Sequence, residues 1–246
     1  MSIQEFSDRF DVLLNSYATK AGFGSQDGVG DIRLNEHEKS VFLTQAQEDI
    51  VLSLYTGKNS YGESFEQTEE IRRYLSSLVN EAELTPISNT QGNPIGMGTN
   101  SYFFTLPDGS DSKPAVWFIT YEGVYITGGT CDHSEAIDVY PVKQDEYHKI
   151  KKNPFRGANN RRALRLDLAD GVIEIVCKST VSKYYLRYLT KPYPIVLVDL
   201  GDLEVEGESV AHGCDLHEAL HQQILERAVQ LALQSKGISI KNSENN

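Results

Sequence analysis

The stretch HEALHQQILERAVQLAL, residues 217–233, decides how the chain is organised. Leu220, Ile224, Ala228 and Leu231 recur at helical spacing, with Leu216 just before them, so an amphipathic helix with one apolar stripe is expected here. Upstream of it the hydrophobic period is close to 2. A helix that follows a run of strands must bury its stripe somewhere, and three more helical segments stand at the other end of the chain. The expected fold class is therefore α+β: a helical bundle formed by N-terminal helices and a C-terminal helix, with an inserted antiparallel β-domain. In residue numbers this is a helical unit at 1–81 completed by a helix at 214–236, a β-rich insertion at 82–213, and a polar C-terminal tail at 237–246.

Each helical segment opens with a small polar residue followed three positions later by Glu or Gln, the spacing of a capping box. The pairs are Ser2 with Glu5, Asn35 with Glu38, Ser64 with Gln67, and Asp215 with Glu218. The first helix carries Ile3, Phe6, Phe10, Leu13 and Leu14 on one stripe. The second carries Val41, Phe42, Ala46, Ile50, Val51 and Leu54, and the third Ile71, Tyr74, Leu75 and Leu78. The alternating runs at 101–106, 115–127, 136–142, 163–179 and 193–200 predict strands. Hairpin turns are expected at Tyr121-Glu122-Gly123 and Ala169-Asp170-Gly171, and Tyr184 to Tyr188 are expected to pack a strand. Gly-rich stretches at 21–31 and 88–100 predict loops.

With 246 residues, 39% hydrophobic and 24% charged, the chain is long enough to bury a core. A formal net charge of −12 argues against a surface that wraps nucleic acid. Three widely spaced cysteines, Cys131, Cys177 and Cys214, fit reduced thiols better than a disulfide framework. There is no basic-then-apolar leader and no run near the ~18 apolar residues of a membrane span, so a soluble, cytoplasmic protein with no membrane contact is expected.

The letters H-E-x-x-H at His217, Glu218 and His221 match the helix on which zinc peptidases hold their metal, two imidazoles one turn apart with a carboxylate beside them. A catalytic zinc also needs a third ligand. In the extended motif the Gly and third His would fall on Ile224 and Arg227, and the downstream acids are only Glu226 and Glu244. His212 and Cys214 leave a structural metal open, and Cys131-Asp132-His133 fits a turn better than a ligand pair. Glu218 is expected to be a cap and the two histidines to flank the stripe, so no metal, cofactor or catalytic residue is assigned. Phosphate loops and nucleophile elbows are absent from the sequence.

The strongest charge feature is KIKKNPFRGANNRRALR, residues 149–165, with seven basic residues and no acid. Residues 1–81 hold 7 basic against 14 acidic side chains. A second copy of the chain therefore offers a complementary surface, and Lys149, Lys151, Lys152, Arg156, Arg161 and Arg162 are the candidate subunit or partner interface.

Five phrases in order, LNEHEKSVFLTQAQEDIVLSLY (34–55), FEQTEEIRRYLSSLV (65–79), KKNPFRGANNRRALRLDL (151–168), KYYLRYLTKPYPIVLVDL (183–200) and CDLHEALHQQILERAVQLA (214–232), resemble a neck ring or head-to-tail connector protein of crAss-like tailed bacteriophages. The resemblance runs from residue 1 to about 234. It implies a non-enzymatic virion protein, assembled in the host bacterial cytoplasm and placed in the virion neck. Its partners by that resemblance are further copies in a twelve-fold ring, the portal protein and other neck or tail rings, with DNA passing through without specific binding. Two other functions stand beside it: a zinc-dependent hydrolase with Glu218 as base, and a monomeric protein-binding module whose basic loop docks an acidic partner.

Overall fold

The computed structural model describes residues 1–20, 33–58, 62, 64–65, 67–87, 100–110, 113–127 and 136–237. Its helices are α1 (Ile3–Lys20), α2 (Glu36–Thr56), α3 (Glu69–Tyr74), α4 (Tyr147–Lys151) and α5 (Glu218–Ser235). Its strands are β1 (Val79–Leu84), β2 (Ser101–Thr105), β3 (Phe118–Thr127), β4 (Ala136–Pro141), β5 (Arg162–Asp167), β6 (Val172–Val176) and β7 (Thr180–Leu189). The chain is thus mixed α+β. It divides into two compact units, one made of residues 1–78 with 192–246 and the other of 79–191. The expected loops at 21–31 and 88–100 and the tail lie outside the described residues, save Asn100 and Gly237, and so does the Cys131-Asp132-His133 triplet.

In the first unit α5 packs against α2 and α1. Phe6, Phe10 and Leu14 of α1 are fully buried at i, i+4 spacing, and α5 buries a double row, Leu220, Ile224, Ala228 and Ala232 beside Leu225, Val229 and Leu233. The inner face of α2 is rotated from the expected one. Val41 is 40% exposed, while Ser40, Thr44 and Gln47 are buried with Leu43, Val51 and Leu54. Their polar atoms have a purpose. The Ser40 hydroxyl accepts the Leu197 amide at 3.0 Å, Thr44 accepts the Ile195 amide at 3.1 Å, and the Gln47 amide donates to the Tyr193 carbonyl at 2.8 Å.

That polar row corrects the strand expected at 193–200. The segment is apolar and extended, but its backbone groups are taken by the side chains of α2 and by an isolated bridge between Val196 and His212, so it joins no sheet. Beside this row Lys39, 3% exposed, donates to Ser7, Asp11 and Glu36 at 3.1, 2.7 and 2.9 Å, tying α1 to α2. Burial acts to lower the Lys39 ammonium, and the two carboxylates outweigh it, holding it above its ordinary value.

Of the expected caps, Asn35 with Glu38 forms both bonds of the box, and Ser2 accepts the Glu5 amide at 3.2 Å. The other two are corrected. Gln67 accepts the Ser64 amide at 2.6 Å, yet only a turn follows, and the six-residue α3 is capped by Thr68. At α5 the cap is His217, and Asp215 takes no part in it.

The second unit is a curled seven-stranded sheet in the order β1-β7-β3-β4-β5-β6-β2. The amide of Ile87, just past β1, donates to Phe103 of β2 at 2.8 Å, which brings the two edges of the order together. One face packs Phe104, Val124, Ile173, Ile175, Tyr184, Leu186 and Tyr188. The antiparallel expectation fails at one pair, because β4 and β5 run parallel. Parallel neighbours need a crossover, and residues 142–161 supply it, including α4, whose Tyr147 covers Leu164, Leu166 and Val176 on the opposite face.

The hairpin at 169–171 forms, with Asp170 at φ 56° and Gly171 at φ 69°. The one expected at Tyr121-Glu122-Gly123 does not, since β3 runs unbroken through it. Gly123 is there for a close approach: a Cβ on it would stand 3.2 Å from the Cβ of Ala136 on β4. Glu122 points inward, where Arg165 donates to it at 2.8 Å and the Tyr184 hydroxyl at 2.8 Å. Burial holds its carboxyl above the ordinary range despite Arg165 and Tyr184.

Candidate functional site

His217 and His221 have separate structural roles on α5. The Nδ1 of exposed His217 accepts the Ala219 amide at 3.3 Å as the helix cap, and its ring lies 5.1 Å from that of Tyr74. His221 is buried rather than flanking, 4% exposed, with its ring 5.4 Å from Phe6. Its Nε2 donates to the Leu216 carbonyl at 2.9 Å and its Nδ1 accepts from the Met1 amino group at 2.7 Å. Both ring nitrogens are engaged. Glu218 is the first helical residue, not the third, because the helix starts later than the Asp215 pairing predicts.

Cys214 donates its thiol to Gln47 at 3.2 Å, and burial pushes it up to about 11. The His212 ring packs against Tyr193 in a tilted contact, centroids 4.4 Å apart, and faces Asp215 at 3.5 Å. Among the described residues no three His, Cys, Asp or Glu side chains are grouped so as to hold a metal ion.

The His221 ring gives a pH prediction. Desolvation, aided by the neighbouring amino group, holds it below its ordinary value. With a folded value below the unfolded one near 6.5, stability is full above that pH and falls as pH drops through it, by at most about 1.4 kcal/mol per unit. Denaturant titrations of wild type and His221→Gln between pH 7.5 and 5 should show a slope that the variant lacks. Equal slopes would refute the assignment.

The basic segment 149–165 is a built feature of the crossover. Lys149 and Lys151 stand exposed on α4, and Lys151 lies 5.8 Å over the Tyr147 ring that anchors this helix. Pro154 sets the turn that follows: the Arg156 amide reaches the Asn153 carbonyl at 3.3 Å, while Asn153 Oδ1 accepts the Phe155 and Arg156 amides at 2.9 and 3.2 Å. Gly157 closes it, its amide 2.7 Å from the Asn153 carbonyl, where a Cβ would come within 2.9 Å of the same oxygen. The Arg162 guanidinium stacks 4.2 Å over Tyr140 and donates to the Phe155 carbonyl at 2.9 Å. Arg162 is thus a brace for the turn, while Lys152, Arg156 and Arg161 are exposed and make no salt bridge among the described residues.

The turn presents Phe155 at 85% exposure, the most exposed large apolar side chain among the described residues. The six candidate interface residues are all cations, and this ring stands among them. The signal was there: an aromatic inside N-P-F-R-G sits in turn chemistry and has no strand or helix face to hide on. Arg165, the last base of the stretch, points instead into the sheet toward Glu122.

A family model described as phage tail ring protein 3/4 matches residues 1–244. The chain is 44% identical over 241 residues to Ring protein 3 of Bacteroides phage crAss001, covering 96% of each chain. It is 28% identical over 242 residues to Ring protein 4/5 of the same phage, covering 94% of this chain and 92% of that one.

Proposed function

The chain belongs to the phage tail ring protein 3/4 family of crAss-like phages, and from that membership we propose that it forms a closed ring in the virion neck below the portal vertex, joining head to tail and extending the DNA channel. The observation that carries this is 44% identity to Ring protein 3 of Bacteroides phage crAss001 over 96% of both chains. The ring is twelve-fold, its partners are the portal protein and neighbouring neck or tail rings, and assembly takes place in the host bacterial cytoplasm.

Rings close through heterologous contacts, in which one surface meets a different surface on the next copy. The basic crossover, with Lys149, Lys151, Lys152, Arg156 and Arg161 outward and Arg162 bracing them, is one such surface, and the acidic helical unit of the next copy is the other. The negative balance of the rest of the chain suits a channel wall that must let DNA slide rather than grip its phosphates.

Native mass spectrometry and electron microscopy of the purified protein, alone and with portal, test the proposal. Closed rings of a single copy number are expected. A protein that stays monomeric at tens of micromolar with and without portal would overturn it in favour of a monomeric binding module.

A further inference from the structure

We propose that Phe155 is the anchor of the ring contact and that it seats in a groove at the start of α5 on the next copy, lined by Glu69, Glu70, Arg73, Tyr74 and His217. This rests on the ring assignment and adds the two surfaces that meet. The groove is open to the surface and offers about 530 Å³, within the size range of pockets that take small organic groups. Two aromatic rings line it, those of Tyr74 and His217, 5.1 Å apart at a tilt of 38°, and a phenyl ring packs favourably against such faces and edges. Two carboxylates line it against one guanidinium, so the lining is acidic on balance, and the Tyr74 hydroxyl bonds Glu70.

The knob matches in kind. A phenyl ring projects from a turn whose neighbours Lys152, Arg156 and Arg161 are exposed cations, so insertion of Phe155 carries positive charge to a lining that is acidic on balance. The turn is already ordered by Asn153, Gly157 and Arg162, so little conformational freedom is lost on docking. Aromatic side chains flanked by Arg are the residue types that dominate interface energetics, and a contact made of two different patches on one chain propagates head to tail, as a ring demands.

The test uses the full chain in three experiments. Phe155→Ala should raise the protein concentration needed for half-assembly about thirty-fold or more, the effect of losing an interface anchor, without moving the unfolding transition, because the ring is exposed. A mixture of Phe155→Cys and Glu69→Cys chains, oxidised under assembling conditions, should give a cross-link between copies that neither gives alone. Arg156→Glu should weaken assembly, and combination with Glu69→Lys should restore it. Rings that form as readily from Phe155→Ala as from wild type, or rings of the two mixed cysteine chains that form without the cross-link, would overturn the contact while leaving the ring intact. Wild-type chains that never assemble would overturn the ring assignment and the contact with it.

Discussion

Replacing Lys152, Arg156 and Arg161 together by glutamate is expected to abolish ring assembly at concentrations where the wild-type ring is complete, with the monomer fold unchanged. All three side chains are exposed, so their reversal disturbs no core and should leave thermal unfolding of the monomer within about 0.5 kcal/mol. At the contact, the change converts attraction into like-charge juxtaposition, which costs several kcal/mol and acts at every interface of a closed ring. Arg162 is left alone in this design. Its guanidinium holds the Phe155 carbonyl and stacks on Tyr140, so Arg162→Glu would confound loss of charge with loss of the turn. Wild-type rings should also loosen as salt rises from 0.05 to 0.5 M, since exposed charges are screened over a Debye length of about 8 Å at physiological strength. Intact rings from the triple variant would refute an electrostatic contact through this loop.

The α+β class, most strands and the long helices were legible because they depend on periodicity, which a single sequence carries. The errors came where a residue type answers to tertiary partners. Ser40, Thr44 and Gln47 read as the polar face of α2, and they are buried because residues 193–197 bring backbone groups to them. The same pairing removed 193–200 from the sheet. Gly123 read as a turn because nothing local distinguishes it from a glycine that lets Ala136 approach. Strand β1 was missed because Asn80 and Glu81 stand side by side in VNEAEL and break the alternation, and only Ala82 is buried. The basic loop was visible as charge. Its shape was not, because the distinction between Arg162 as brace, Arg165 as core partner and Phe155 as apex depends on Tyr140 and Glu122, both distant in sequence.

Arg165→Ala should be the most damaging single substitution to the β-unit, about 3–5 kcal/mol, as expected when one partner of a buried ion pair is removed. The Arg165 side chain is 12% exposed and that of Glu122 9%, and the pair spans β5 and β3 at 2.8 Å. Without Arg165, Glu122 keeps only the Tyr184 hydroxyl at 2.8 Å, and burial already holds its carboxyl above the usual range. The loss should therefore depend on pH in a definite sense. A carboxyl with a folded value above its unfolded one binds its proton more tightly when folded, so folding is favoured as pH falls through that interval and penalised above it. The variant should be most compromised near pH 7 and recover part of the deficit toward pH 4. Glu122→Gln with Arg165→Met, which removes both charges at similar volume, should cost much less than Arg165→Ala alone, because no orphaned carboxylate remains. Urea titrations of the three proteins at pH 7 and pH 4.5 would decide it. A pH-independent deficit, or a double variant as unstable as Arg165→Ala, would show that the guanidinium acts through its packing and not through its charge.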